Sequence, residues 1–257
     1  MALIDRLEAG EILFTQFSTI PDPLVAELLA TTALDSVTLD AQHGGHNDHS
    51  ILRCAAPVIA AGKHVGVRIP IGRWDLATTA LDVGAELVIA PVVSTPEMAG
   101  AFARAVKYTP AGERSWGPNI AIRRHGLTPA QYQAEGNRRS LAFVMIETML
   151  GYQNIDAILD VDGVDGIFIG NNDLSFDMTK GKSLEPTSPE VLRICEQCMK
   201  KARSRGKYGA IFLTQIQLMR SYLEMGFQMF VGGLDSRALV DAGNRFVAEA
   251  KAELKTA

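Results

Sequence analysis

The sequence predicts an α/β protein built as a (β/α)8 barrel. Apolar, β-branched runs of strand length recur along the chain and alternate with amphipathic stretches of helical length, a pattern that calls for parallel strands joined by right-handed helical crossovers. Four of the runs follow a glycine, as expected where a helix C-cap leads into a buried strand. Eight such units in about 250 residues is the size of a closed barrel, with a doubly wound open sheet as the other arrangement the alternation allows.

Residues 12–18 form the first expected strand and residues 37–40 the second. Gly62 then precedes HVGVRIP, and Gly84 precedes AELVIAPVV. Residues 143–147 and 166–170 supply the fifth and sixth strands; Gly206 precedes KYGAIF and Gly226 precedes FQMFVGG for the last two. Helix starts are marked as well. Ser94 with Glu97 three residues on has the capping-box pattern, and Ser188-Pro189-Glu190 puts proline at a first helical position. Residues 108–140 are the irregular part, because YTPAGERSWGPN is too rich in glycine and proline for a helix and only the surroundings of Gln131 read as helical. A βα insertion of this length is expected to be a functional loop.

With 257 residues, 47% of them hydrophobic and 21% charged, the chain can bury a large core; one barrel domain over residues 1–257 is favoured over two small domains. Mean hydropathy is +0.08, and no apolar run approaches the roughly 18 residues of a membrane span. MALIDRLEAGEILF lacks the basic and apolar regions of a signal peptide, so a soluble, unprocessed protein is expected. Three cysteines suit a reducing compartment, and the cytoplasm is the expected setting. A net charge of −4 and a pI near 5.8, with only short basic stretches, argue against a nucleic-acid partner. The ligand expected is a small molecule.

In a barrel the chemistry sits where strands end. Two runs, 141–147 (LAFVMIE) and 166–173 (GIFIGNND), end in acids 26 residues apart, Glu147 and Asp173. On neighbouring parallel strands these carboxylates meet at one mouth of the sheet, as the holding of a hard divalent cation requires. Asp40 and His43 follow the second strand, Arg68 ends the third, and Asp82 stands just before the fourth. A cation with oxygen ligands, an anion-binding arginine and a proton-moving histidine are the equipment for making and quenching an enolate.

LDAQHGG, HVGVRIP, LDVGAELVIAPVV, YTPAGERSWG, FVMIET and DGVDGIFIGNNDLS, in this order, closely resemble the HpcH/HpaI family of class II, metal-dependent pyruvate aldolases, over roughly residues 18–247. The resemblance implies a (β/α)8 TIM barrel of the phosphoenolpyruvate/pyruvate superfamily, a homo-oligomer (trimer or hexamer), and a last helix often exchanged between subunits. It implies reversible cleavage of 4-hydroxy-2-oxo acids to pyruvate or hydroxypyruvate plus an aldehyde, through a metal-bound enolate. Carried over residue by residue, the metal carboxylates fall on Glu147 and Asp173, with Mg²⁺, Mn²⁺ or Co²⁺ as the ion. Arg68 holds the keto, later enolate, oxygen; His43 moves the proton at the C4 hydroxyl; Asp82 orients His43; and the backbone N–H groups of Asn172 and Asp173 receive the oxo acid's carboxylate. Phe212, Leu213 and Val231, at the ends of the last two strands, are expected to wall the side on which the enolate's methyl or hydroxymethyl lies.

Three positions depart from the family pattern: Gln42 for a glutamate before the histidine, Met145 for a glutamine two residues before the metal glutamate, and Ser115-Trp116 after Arg114. Each is expected at or near the active mouth, the last on a loop that meets the aldehyde. Other readings stay open. The same site could serve an oxaloacetate decarboxylase; a CoA-thioester lyase would need a basic surface, for which Arg114, Arg123, Arg124 and His125 are the candidates; and a non-catalytic barrel that binds an oxo acid is the remote option. His43, His46 and His49 could form a zinc site, although a glycine-rich stretch and oxygen-donor neighbours argue for the other reading, with His46 and His49 near the second substrate. His64 and His125 are expected to be structural or exposed. Cys195 and Cys198, inside a helical run, read as packing. Asp160, Asp162 and Asp165 lack the rest of a calcium loop and read as caps and turns. Gly232-Gly233 offers a phosphate site without a basic residue beside it in the sequence.

Overall fold

The structure, a computed structural model, describes residues 1–256. Its eight strands are β1 (Leu13–Ser18), β2 (Ser36–Asp40), β3 (His64–Arg68), β4 (Leu87–Ala90), β5 (Leu141–Ile146), β6 (Gly166–Ile169), β7 (Tyr208–Phe212) and β8 (Met229–Leu234). All pair in parallel and in sequence order, and β8 returns to β1 to close the barrel. The open-sheet alternative is thereby excluded. The four glycines that precede strands, Gly62, Gly84, Gly206 and Gly226, have φ from 67 to 106°, the left-handed turn in which a side chain is disfavoured.

Each strand divides its side chains between two cores, because alternate residues point to opposite faces of a sheet. Val37, Leu39, Val65, Val67, Val144 and Ile167 face the surrounding helices, whereas Leu13, Phe17, Phe143, Phe168 and Met229 fill the barrel. Gly166 makes the interior possible, since a Cβ there would lie 2.7 Å from the Phe143 ring. The short helix Leu3–Glu8 adds Leu3, Ile4 and Leu7 to the inner core and closes the end at which the strands begin.

That end is also tied by buried charge. His64 Nδ1 and Glu86 Oε2 are 2.5 Å apart, and the Leu3 N–H donates to Glu86 Oε1 at 3.1 Å. Lys107 donates to the Asn137 and Ser140 carbonyls and to Asp165, whose carboxylate also accepts the Ala142 N–H.

Residues 108–140, expected to be helical only around Gln131, hold two helices, Asn119–Arg124 and Pro129–Arg139, and one of the two marked helix starts shifts. Ser188 caps the helix Pro189–Arg203 as expected, but Thr95, not Ser94, caps the helix Pro96–Val106. Ser94 instead hydrogen-bonds Thr148 at 2.7 Å. The last helix, Asp235–Thr256, leaves Leu239, Val240 and Phe246 exposed rather than laying them on the barrel. No helix of the described residues is long and apolar enough to cross a membrane.

Candidate active site

Two joined cavities open where the strands end. The first, about 200 Å³, lies over the barrel interior and is lined by Phe17, Asp40, His43, Arg68, Met145, Phe168, Asn172, Asp173 and Phe212. The second, about 430 Å³, shares His43 and Asp173 with it and adds Gln42, Val92, Glu147 and Lys180.

Arg68 is held rather than free. Asp40 and Arg68 are register partners at the ends of β2 and β3, and the Arg68 Nε and Nη2 donate to the two Asp40 oxygens at 2.9 and 2.7 Å. Such a bidentate pair fixes the plane of the guanidinium. The Phe17 ring lies beneath it at 4.1 Å, so the remaining N–H groups are turned toward the cavity. Asp40 also accepts the backbone N–H groups of Gln42 and His43, at 3.1 and 3.3 Å, and so ties the histidine's loop to the arginine's strand. The sequence marked Asp40 as a strand-end acid without a role; the signal that would have found one is its pairing with Arg68 across neighbouring strands.

Glu147 follows β5 and is 3% exposed. Its Oε1 accepts the Val92 N–H at 2.5 Å, and Val92 adopts φ 54° to present that donor. A β-branched residue in this region is strained by about 1–3 kcal/mol, an outlier of the kind that clusters at functional sites. Gly170 leaves room for the carboxylate, because a Cβ there would collide with Glu147. Burial pushes the Glu147 carboxyl up to about 7; the Val92 bond lowers it, and the neighbouring negative charge of Asp173 raises it further.

Asp173 lies in the first turn of the helix Asn171–Met178, which starts directly after β6. The first intrahelical bond runs from the Leu174 N–H to the Gly170 carbonyl, so the amides of Asn172 and Asp173 have no acceptor within the helix. With the positive end of the helix dipole they offer a carboxylate two donors at the cavity wall. Glu147 and Asp173 fit a hard divalent cation, since two oxygen donors on adjacent strand ends leave the other positions to water and substrate, and the cost of burying Glu147 as an anion falls when a cation sits beside it. Among the described residues no cluster of three or more His, Cys, Asp or Glu could hold a metal. The three-histidine zinc reading therefore fails: His46 is buried between Ser18 and Ser50, 3.2 Å from each hydroxyl, away from either cavity, and His49 is exposed.

His43 stands at the rim of both cavities, and its imidazole makes no hydrogen bond among the described residues. Asp82 does not reach it. Asp82 ends the helix Trp74–Asp82, which runs from the mouth to the opposite end of the barrel, and there its carboxylate takes the Arg114 Nη2 at 2.6 Å. The reading of Asp82 as the residue that orients His43 is thus not met within the chain. The same helix direction relocates Ser115-Trp116, expected at the mouth: Trp116 packs tilted against Tyr108 and edge-on to Tyr132 at the far end. Arg124 and His125 are there too, bonded to the carbonyls of Val83, Leu52 and Gly84, so this group offers no basic surface at the mouth for a CoA tail.

Of the expected apolar wall, Phe212 lines the first cavity and Leu213 a neighbouring cleft. Val231 is corrected: it is fully buried in the inner core beneath the cavity, in register with Phe212. Met145, Phe168 and Phe17 take its place. Gln42 and Met145, two of the three departures from the family pattern, do line the cavities.

The model of the family described as HpcH/HpaI aldolase/citrate lyase matches residues 14–242. The chain is similar to a hydroxypyruvate/pyruvate aldolase of Roseovarius nubinhibens, 30% identical over 95% of this chain and 94% of the relative. It is 33% identical to a 4-hydroxy-2-oxo-heptane-1,7-dioate aldolase of Klebsiella pneumoniae, over 93% of this chain and 89% of the relative. Among solved structures, an HpcH/HpaI aldolase from Desulfitobacterium hafniense superposes with a TM-score of 0.89 at 28% identity, covering 98% of this chain and 97% of that one.

Proposed function

The chain belongs to the HpcH/HpaI aldolase/citrate lyase family, and from that premise we propose that it is a carbon–carbon lyase, a class II aldolase that cleaves 4-hydroxy-2-oxo acids to pyruvate or hydroxypyruvate and an aldehyde. One observation carries the reading: a fixed guanidinium, two helix-start amides, two carboxylates and an unpaired imidazole line two cavities that join at His43 and Asp173. Glu147 and Asp173 hold the divalent cation, Mg²⁺, Mn²⁺ or Co²⁺. When bound, it supplies positive charge that polarises the substrate's keto group.

The amides of Asn172 and Asp173 bind the oxo acid's carboxylate, and Arg68 donates to its keto oxygen. His43 takes the proton of the C4 hydroxyl; the C3–C4 bond then breaks, its electron pair passes toward the C2 oxygen, and the aldehyde leaves. Arg68 stabilises the enolate's negative charge because Asp40 already holds it in place, so no reorganisation is needed as that charge develops. A proton delivered to C3 gives the oxo acid product. Met145, Phe168 and Phe212 keep water from that carbon.

The protein is placed in the cytoplasm, a setting supported by Cys54, Cys195 and Cys198, all buried free thiols. A homo-oligomer, trimer or hexamer, with the helix Asp235–Thr256 exchanged between subunits, accounts for its exposed Leu239, Val240 and Phe246.

The test is cleavage of a 4-hydroxy-2-oxo acid by chelator-stripped protein before and after addition of Mg²⁺, Mn²⁺ or Co²⁺. Metal-restored pyruvate release is expected. Silence with every ion while oxaloacetate still loses CO₂ would replace the aldolase by a decarboxylase.

A further inference from the structure

We propose that Asp235, at the start of the last helix, is a positioning residue for the reaction: it holds residues 18–20 in place, and through them sets where the loop of His43 presents its imidazole. This rests on the aldolase reading, in which His43 moves the proton of the C4 hydroxyl.

The imidazole of His43 makes no hydrogen bond among the described residues, so its place at the rim is set by the backbone that carries it. That backbone is gripped from two sides. On one side Asp40 accepts the N–H groups of Gln42 and His43. On the other the Gly45 N–H donates to the Thr19 carbonyl at 2.8 Å, and Gly44 passes so close that a Cβ there would collide with the Asp40 carbonyl and lie 2.9 Å from the Thr19 Cα. Thr19 itself lines the first cavity with His43. Where Thr19 lies therefore decides where His43 lies.

One side chain fixes the segment that contains Thr19. Asp235 Oδ1 accepts the Thr19 N–H at 2.8 Å and the Thr19 hydroxyl at 2.5 Å; Oδ2 accepts the Ser18 hydroxyl and the Ile20 N–H, each at 3.2 Å. The Ser18 hydroxyl is also 3.2 Å from Nε2 of His46, which lies in the same loop as His43. The last helix, β1 and the histidine's loop thus meet at a single carboxylate.

A serine or threonine would cap the last helix without bringing a charge. Asp235 is instead a carboxylate only 3% exposed, and among the described residues no lysine, arginine or histidine pairs with it. An unpaired buried anion is unfavourable unless hydrogen bonds compensate it. Of those it accepts, four come from residues 18–20 and one, from the Ser236 N–H at 2.7 Å, comes from its own helix. Hydrogen bonds to a charged acceptor are the stronger kind, so the carboxylate is spent on holding this segment rigidly against the loop of the base.

The experiment measures cleavage of 4-hydroxy-2-oxopentanoate by the Mn²⁺-loaded full chain, with the affinities for Mn²⁺ and for pyruvate determined separately by calorimetry. Asp235→Asn, which keeps the shape but turns one acceptor into a donor facing N–H and O–H groups, should lower kcat by about 10- to 100-fold, the scale of a small displacement of a reacting group. KM and both affinities should be unchanged, because Arg68, the two amides, Glu147 and Asp173 lie outside this segment. Thr19→Val, which removes one of the four bonds, should give a smaller loss of the same kind and carries the test if Asp235→Asn does not fold. In a His43→Ala background neither substitution should slow the residual turnover further, since a residue that acts through the imidazole then has nothing to position. Unchanged kcat in the folded variants, affinities that fall together with kcat, or a loss that adds to that of His43→Ala overturns this proposal alone. Unmodified protein that releases no pyruvate with any ion overturns the aldolase reading, and the proposal with it.

Discussion

Glu86 and Glu147 stand at opposite ends of the same barrel, each 3% exposed, and they ionise in opposite directions. Burial alone raises both. At the closed end, the hydrogen bond and charge of His64 override that effect and hold Glu86 below its usual range, with Arg139 3.5 Å away and the Leu3 N–H completing its partners. At the mouth, Glu147 has one backbone donor and a second carboxylate nearby, and its carboxyl rises to about 7. The closed end supplies its own cations. The mouth has groups whose partners must come from solution, and this difference separates a structural charge cluster from a binding site.

Four substitutions sharpen the contrast. The largest expected effect is at the closed end: Glu86→Ala strands His64 and Arg139 in a buried site and should cost about 3–5 kcal/mol of stability, measured by urea denaturation at pH 8. Arg68→Ala at the mouth should leave the fold intact but lower kcat by roughly 10²–10³, the scale of a lost oxyanion donor. If Arg68→Ala instead unfolded the protein, the pair with Asp40 would be structural and the comparison would fail.

The third effect concerns pH. Glu147 has a folded value near 7 against an ordinary 4.5, so its contribution to stability is fully present below pH 4.5 and is lost as pH rises through 7. Glu147→Gln should therefore stabilise the metal-free protein at pH 8, by on the order of 3 kcal/mol, with the gain vanishing near pH 4.5. Glu86 has the reverse sign: its contribution is present above its ordinary value and is lost as pH falls through the lower folded one. Denaturation curves at pH 5 and pH 8 check both. The smallest effect is at Val92, where Val92→Gly should relieve the left-handed strain and stabilise by about 1 kcal/mol.

The sequence revealed the mouth better than it revealed the ends. Strand-end polar residues could be identified because parallel strands all finish at one face, so Asp40, Arg68, Glu147 and Asp173 converge whatever the details of the helices. Asp82 does not reach His43 within the chain because proximity to a strand in the sequence does not say which end of that strand: a residue at the C-terminus of a crossover helix lies where the next strand begins. Ser115-Trp116 was misplaced for the same reason. Val231 was assigned to the wall as the end of the last strand, but β8 runs on to Leu234, which lines the first cavity and leaves Val231 in the buried layer below it. The φ of Val92, which aims a donor at Glu147, has no signature in APVV.

The most direct measurement is calorimetric titration of the chelator-stripped protein with Mn²⁺ at pH 8 and pH 6. One ion should bind per chain, more weakly at pH 6, where a proton must leave Glu147 first, and binding should be lost in Glu147→Gln and Asp173→Asn. Mn²⁺ binding that is equally strong in both variants would contradict the account, because the cation would then be held somewhere other than the mouth.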